Sequence, residues 1–294
     1  MGSVVTGGRY VLLTALAVLA SACSSPESAE SALQPPNGGA PQAGRAGLAG
    51  AAGMAGMGGA APTTDPNNVE PTDCPPAPTL EPAQTARLSL RAPVEFGAAP
   101  LDLGSSVSAP SGSSYKLTFF AYYVGNFRLL DGAGASHPAT LVNASDQPLP
   151  YGLQLVNMDD TASEQLRLAV APGNYRALRF AVGVHQACNA IAQDQRGWPL
   201  TIETEMNWGW TMLHLRLEGF VSSSARSSGF MYHVGFPQEY RTVELESALD
   251  LSQGALEKTL PLAADQLLGA GTPNVTVDQT QFLNNLVATT FSLR

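Results

Sequence analysis

An all-β fold, an antiparallel β-sandwich with a disordered N-terminal tether, follows from three features of the sequence. From Arg87 onward, short runs of alternating apolar and polar residues are punctuated by Gly, Pro, Asn and Asp, the texture of strands joined by turns. Helical periodicity is sparse between these runs, which argues for two sheets packed face to face and against strands alternating with helices. Ahead of them, Ser24 to Ala86 is rich in Ala, Gly, Pro and Ser, with Gly-Met repeats through Gly59. That stretch lacks the β-branched and aromatic residues from which a core is built, so it reads as a spacer.

The first residues read as an export signal. Arg9 is the only charged side chain before the apolar run Tyr10 to Ala20, which leads through Ser21 and Ala22 to Cys23. A membrane-spanning helix needs about 20 apolar residues, so the run is a signal core. Small residues directly before a cysteine resemble the bacterial lipoprotein cleavage site. That resemblance implies removal of residues 1–22, a lipid anchor on Cys23 and, with Ser24 in place of aspartate after it, residence at the outer membrane. The expected organisation is a signal over 1–22, a tether over 23–86 and one β-sandwich domain over 87–294.

Within the domain, strands or strand pairs are expected over Arg87 to Phe96, Tyr115 to Leu130, Leu153 to Met158, Glu164 to Ala169 and Tyr175 to Val184. The series continues over Met206 to Leu217, Phe230 to Phe236, Thr242 to Leu249, Glu257 to Leu262 and Thr272 to Val277. Helices are expected only around Gln186 to Gln195 and Gln279 to Ala288. Ala171-Pro172-Gly173-Asn174 is a turn between two strands, and Leu130-Asp131-Gly132 closes another strand. Between Lys116 and Leu130, one face carries Leu117, Phe119, Ala121 and Tyr123, and the other Thr118, Phe120 and Tyr122. Apolar residues on both faces mark a central strand covered on each side. No repeat of fixed period emerges, which excludes a propeller or solenoid.

The formal charge is −9, only 13% of residues are charged and no basic stripe exists, so nucleic acid is excluded as a partner. With Cys23 assigned to the anchor, Cys74 and Cys188 remain in an oxidising compartment, where a disulfide is the plain expectation. Two unpaired thiols, or Cys188 as a metal ligand, are the alternatives. There is no nucleophile elbow, phosphate loop or His-Glu-x-x-His, so the protein is expected not to be an enzyme.

The chemistry gathers in Met206 to Gly219, which holds two of the three tryptophans and one of the four histidines. Taken as a strand, it turns Trp208, Trp210, Met212 and His214 to one face and Thr211, Leu213, Leu215 and Leu217 to the other. Indole, thioether and imidazole in a row make either a soft-metal surface or a bulky aromatic one. A hairpin centred between Ser223 and Ser224 sets His214 opposite His233, with Cβ atoms about 5 Å apart, close enough to share one ion. A one-residue slip separates them. His185, at a strand end, is a third candidate ligand, whereas His137 before Pro138 is a weak one. The plainer reading makes these histidines half-buried hydrogen-bonding groups and the tryptophans sheet packing.

Three blocks bear on the choice. Phe180-Ala181-Val182-Gly183-Val184 with Asn189 beyond it, Met206-Asn207-Trp208-Gly209-Trp210 running into Leu217-Glu218-Gly219, and Phe230-Met231-Tyr232-His233-Val234-Gly235 resemble successive blocks of the MbnP family of copper-binding proteins. The likeness covers most of Arg87 to Leu251. It implies an extracytoplasmic β-rich protein binding copper through histidines and a tryptophan oxidised to kynurenine, the oxidation being done by a partner dihaem protein of the peroxidase type. Trp208 or Trp210 is then the modification candidate and His233 the best-matched ligand. His214 and His185 come from strand geometry and Met212 from the affinity of thioether for Cu(I). The chain departs from the family pattern at Thr211-Met212-Leu213, where a Gly-Tyr pair is frequent, at Leu103-Gly104, where Cys-Gly is expected, and at His185, where proline or aspartate is common. The alternative is a surface-anchored interaction module that binds a protein or glycan through an exposed Trp208/Trp210 face.

Overall fold

The computed structural model describes residues 71–74, 78–208, 210–224, 226–270 and 277–294. The expected signal, Cys23, most of the tether and all but the last residue of the expected Thr272–Val277 strand lie outside them. The N-terminal half of the domain contains Ala86–Arg91 (β1), Val94–Phe96 (β2), Ala99–Pro100 (β3), Ser106–Ser108 (β4), Ser114–Asp131 (β5), Ser136–Pro138 (β6), Thr140–Leu141 (β7) and Leu153–Asn157 (β8). Gln165–Val170 (β9), Asn174–Val182 (β10), Leu215–Ser222 (β11), Ser227–Val234 (β12), Arg241–Asp250 (β13), Ala255–Thr259 (β14) and Leu262–Ala263 (β15) follow. The α-helices are Gln186–Asn189 (α1), Ala264–Leu267 (α2) and Gln279–Ala288 (α3). The first and last of these fall where helices are expected from the sequence.

The larger sheet runs β12-β11-β5-β10-β13, with β4, β6 and β8 also paired to β5, and the smaller runs β14-β1-β9-β7. Every pairing in the larger sheet is antiparallel, and in the smaller one only β1 with β14 is parallel. The two sheets close over one core, in which Leu88, Leu90, Leu166 and Leu168 meet Phe120, Tyr122, Leu178 and Phe180. This is the antiparallel β-sandwich expected from the sequence. A third, short sheet runs β15-β2-β3, and its Val94 and Leu262, with Phe282, Leu283 and Leu286 of α3, join the same core. Asp278 caps α3 by accepting from the Gln281 N–H at 2.8 Å, which satisfies one of the free donors of the first turn. Phe282 of this helix stacks on Tyr232 with centroids 4.2 Å apart. Among the described residues no helix is long and apolar enough to cross a membrane.

The central strand β5 is covered on both sides, as its composition implies. Phe120, Tyr122 and Val124 enter the inter-sheet core, while Ala121 and Tyr123 enter a second cluster with Val184, Cys188, Leu200, Met206, Met212 and Leu213. Strict alternation fails at one point. The register against β11 jumps between Glu218↔Phe119 and Gly219↔Leu117, so Thr118 is an extra residue. This bulge moves Leu117 to the core side with Phe120 and Tyr122 and corrects the face assignment read from period two.

Candidate metal centre

The segment expected to present the chemistry from one strand face does something else. Only from Leu215 onward is it strand. Before that the chain doubles back: the Trp208 N–H donates to the Thr211 carbonyl at 2.9 Å, the Leu213 N–H donates to the Met206 carbonyl at 2.7 Å, and Asn207 bridges Met212. A reversed chain breaks the period-two pattern. Trp208 and Trp210 at the turn stay 37% and 64% exposed, while Thr211, Met212, Leu213 and His214 are buried. Indole, thioether and imidazole therefore do not line one face.

His214 is a structural residue in this arrangement. Its Nδ1 accepts the Val184 N–H at 3.0 Å, and its Nε2–H donates to the Phe236 carbonyl at 3.0 Å. Both ring nitrogens are thus engaged, and the ring is held in one neutral tautomer. Burial lowers its pKa to about 4, with Arg241 lowering it further and the Phe236 bond opposing. The ring packs against Gly183, where φ is +122° and an added Cβ would come within 2.7 Å of His214 Cγ. Glycine at 183 is required by that conformation and by that contact. Met212 is equally committed, its thioether inside the second cluster and its N–H bonded to Asn189 Oδ1 at 2.8 Å.

The hairpin register also differs from the expected one. Ser222 pairs with Ser227, so the turn is centred one residue further on, and every partner moves by two. His233 lies opposite Arg216, not His214. An even shift preserves the face, and on that face His233 meets a residue the sequence reasoning passed over. His233 Nε2–H donates to Glu218 Oε1 at 2.7 Å, and Arg216 Nε donates to the same oxygen at 2.8 Å. The Arg216 hydrogen bond first, then that of His233, hold the Glu218 carboxyl below the usual glutamate range. With Nε2 committed to the carboxylate, Nδ1 of a neutral ring carries the lone pair, the second-shell arrangement typical of a metal-binding histidine. The Trp208 ring stands edge-on to His233 at 5.7 Å, and Phe236 approaches both Trp208 at 6.2 Å and Trp210 at 5.8 Å. The detectable signal was the strand spacing of Arg216 and Glu218, which puts both beside His233 once the register is known.

A second set of donors lies under the outer face of the large sheet. Cys74 and Cys188 form the expected disulfide, which ties the segment before β1 to α1. His185, just before α1, has Nε2 at 3.1 Å from Cys188 Sγ. The three side-chain donors lie within 4.8 Å of one another. His185 is only 4% exposed, and its Nδ1 is buried with no hydrogen-bond partner among the described residues. Burial pushes its pKa below the ordinary histidine value, against a weaker upward pull from Asp73, which favours the uncharged ring. Of the remaining candidates, His137 is bonded to Asp131 at 2.9 Å on the far part of β5 and joins neither group.

The structure thus separates the predicted ligands into three places: His233 with Trp208 and Trp210 at the surface, His185 with the two cysteines, and His214 with Met212 in the packed interior. A family model described as MbnP matches residues 85–288. Among solved structures, MbnP from Methylosinus trichosporium is similar at 17% identity and a TM-score of 0.45, over 62% of this chain and 76% of that one. The comparison with curated proteins returns no match.

Proposed function

The chain belongs to the MbnP family, and we propose that it is an extracytoplasmic copper-binding protein that captures or delivers the metal and catalyses no reaction of its own. A lipid on Cys23 holds it at the outer membrane, and the Ala/Gly/Pro/Ser-rich tether sets the domain off from the lipid surface. The observation that carries the reading is the Glu218–His233–Trp208 arrangement, in which a carboxylate orients one imidazole beside a part-exposed indole.

The donors fit copper in its reduced or oxidised state. His233 supplies an imidazole nitrogen through Nδ1, and a ring-opened Trp208 supplies an aromatic amine. That second donor requires oxidation by a partner, a dihaem protein of the peroxidase type. Cleavage of the indole C2–C3 bond takes up two oxygens from two peroxide molecules with release of two waters, and hydrolysis then removes C2 as formate to leave kynurenine. Exposure of Trp208 and Trp210 supports access by such a partner. Met212 and His214 are left out of the site because each is committed to the interior.

The test is metal analysis with peptide mass spectrometry on protein from its native envelope. Bound copper and a Met206–Arg216 peptide heavier by two oxygens less one carbon monoxide are expected. His233→Ala should abolish the copper, and Glu218→Gln should weaken it by about 10–100-fold, the usual effect of losing an orienting partner. Copper retained in full by His233→Ala would refute this site. The 64% exposure of Trp210 favours a second reading, an aromatic platform for a protein or glycan. Under that reading Trp210→Ala loses partner capture while tryptophan is unmodified and metal is absent.

A further inference from the structure

The disulfide and its histidine offer something that the surface site does not use. A structural disulfide needs no imidazole, yet His185 sits with Nε2 3.1 Å from Cys188 Sγ and with its other nitrogen buried and, among the described residues, unpartnered. A disulfide sulfur is at best a weak acceptor, and a buried polar atom with no partner is costly. Cys74 joins His185 and Cys188 across more than a hundred residues of chain, and the three donors converge within 4.8 Å. Donor atoms on one small ion stand within about 4 Å of each other, because each bond to it is about 2.0–2.3 Å long. To hold an ion, the two sulfurs must separate after reduction and the longest donor pair must draw in by somewhat under 1 Å.

We propose that Cys74, His185 and Cys188 form a second, redox-gated metal site, closed as the disulfide and open to Cu(I) when the cysteines are reduced. Two thiolates and a neutral imidazole are soft or borderline donors of the kind that selects Cu(I) over hard cations. The balance is simple. An external dithiol gives two electrons and two protons to the disulfide and is itself oxidised to a disulfide. Cu(I) then displaces the two thiol protons and takes the His185 lone pair, with no change in its own oxidation state. The apolar cover of Leu200, Met206, Met212 and Leu213 over Cys188 keeps water off such a complex. Its net negative charge lies on the segment that Arg196 closes, with Nε donating to the Ile191 carbonyl and Nη2 to the Asn189 carbonyl, each at 2.9 Å. Nη1 of that guanidinium is a further buried donor without a partner among the described residues. The state of the disulfide would decide whether the domain holds metal at this place, independently of the surface histidine.

The experiment titrates Cu(I) anaerobically, against a chromophoric chelator, into the full chain carrying Cys23→Ser, so that Cys74 and Cys188 are the only cysteines. The reduced protein should take up one equivalent more than the oxidised protein. X-ray absorption of that equivalent should show both sulfur and nitrogen neighbours. His185→Ala, which keeps the disulfide and reports on folding through its circular dichroism when oxidised, should weaken the extra site at least tenfold and remove the nitrogen. His233→Ala should leave the increment intact, so failure of the surface site and failure of this one are separable. No redox-dependent increment, or an increment unchanged by His185→Ala, would overturn the proposal; the latter would mean a bare thiol pair.

Discussion

His214 shows how a residue with the chemistry of a ligand can be spent on architecture. Its two ring nitrogens join the end of β10, at Val184, to the loop after β12, at Phe236, and only the neutral ring can do both. The consequence is a dependence of stability on pH with a definite sign. An unfolded histidine titrates near 6.5 and this one near 4. Between those values the unfolded chain binds the extra proton, and stability rises with pH. The stabilisation is present above about pH 6.5 and is lost as the pH falls toward 4, by about 3 kcal/mol at the order-of-magnitude level. Denaturation midpoints from pH 7 to pH 4 should show this loss, and His214→Gln should flatten that part of the profile. An unchanged slope in the variant would remove His214 as its cause. Histidine type and strand spacing were legible in the sequence, but the ring's partners were not, because both are backbone groups supplied by distant loops.

At the scale of elements, legibility followed periodicity. The strands with long alternating runs fell where the pattern put them, as did the turn at Ala171–Asn174 and the helix from Gln279. Where one residue interrupts the period, the sequence carried no mark of it. Thr118 bulges β5 and turns Leu117 to the core side, and the turn at Trp208–Thr211 sends two indoles outward and four following side chains inward. Both are backbone events that the side-chain pattern does not encode. The site suffered most, since the His214–His233 pair depended on a turn centre that moved by one residue. The difference between buried and outward aromatic residues is measurable. Phe120 is fully buried between Tyr122 and the smaller sheet, so Phe120→Ala should cost about 3–5 kcal/mol. Trp210→Ala at the open turn should stay within about 0.5 kcal/mol. Urea midpoints at constant slope would measure both, and a comparable loss from Trp210→Ala would mean that the turn holds up the second cluster.

Across the whole molecule, the disulfide joins what the sheets leave apart. The second cluster under the outer face of the large sheet packs a loop layer, the stretch from Val184 to Leu213 with Tyr151, against Ala121 and Tyr123 of β5 and Leu153 and Leu155 of β8. The Cys74–Cys188 link ties this layer to the segment that leads in from the tether and closes a separation of 114 residues. A loop near that length restricts the unfolded chain by about 4.7 kcal/mol in the loop-entropy account. Reduction should therefore lower the stability of the domain by about 3–5 kcal/mol, and measured exchange should rise first in α1 and the 185–213 layer, while β5, β10 and β11 remain protected. If the reduced cysteines hold Cu(I), metal at a hundredfold excess over its dissociation constant returns about 2.7 kcal/mol of that loss. Parallel denaturation of oxidised, reduced and reduced Cu(I)-loaded protein separates the outcomes. Recovery of stability that also needs His185 makes the link both clasp and metal site, whereas reduced protein indifferent to Cu(I) leaves it as a clasp for the loop layer alone.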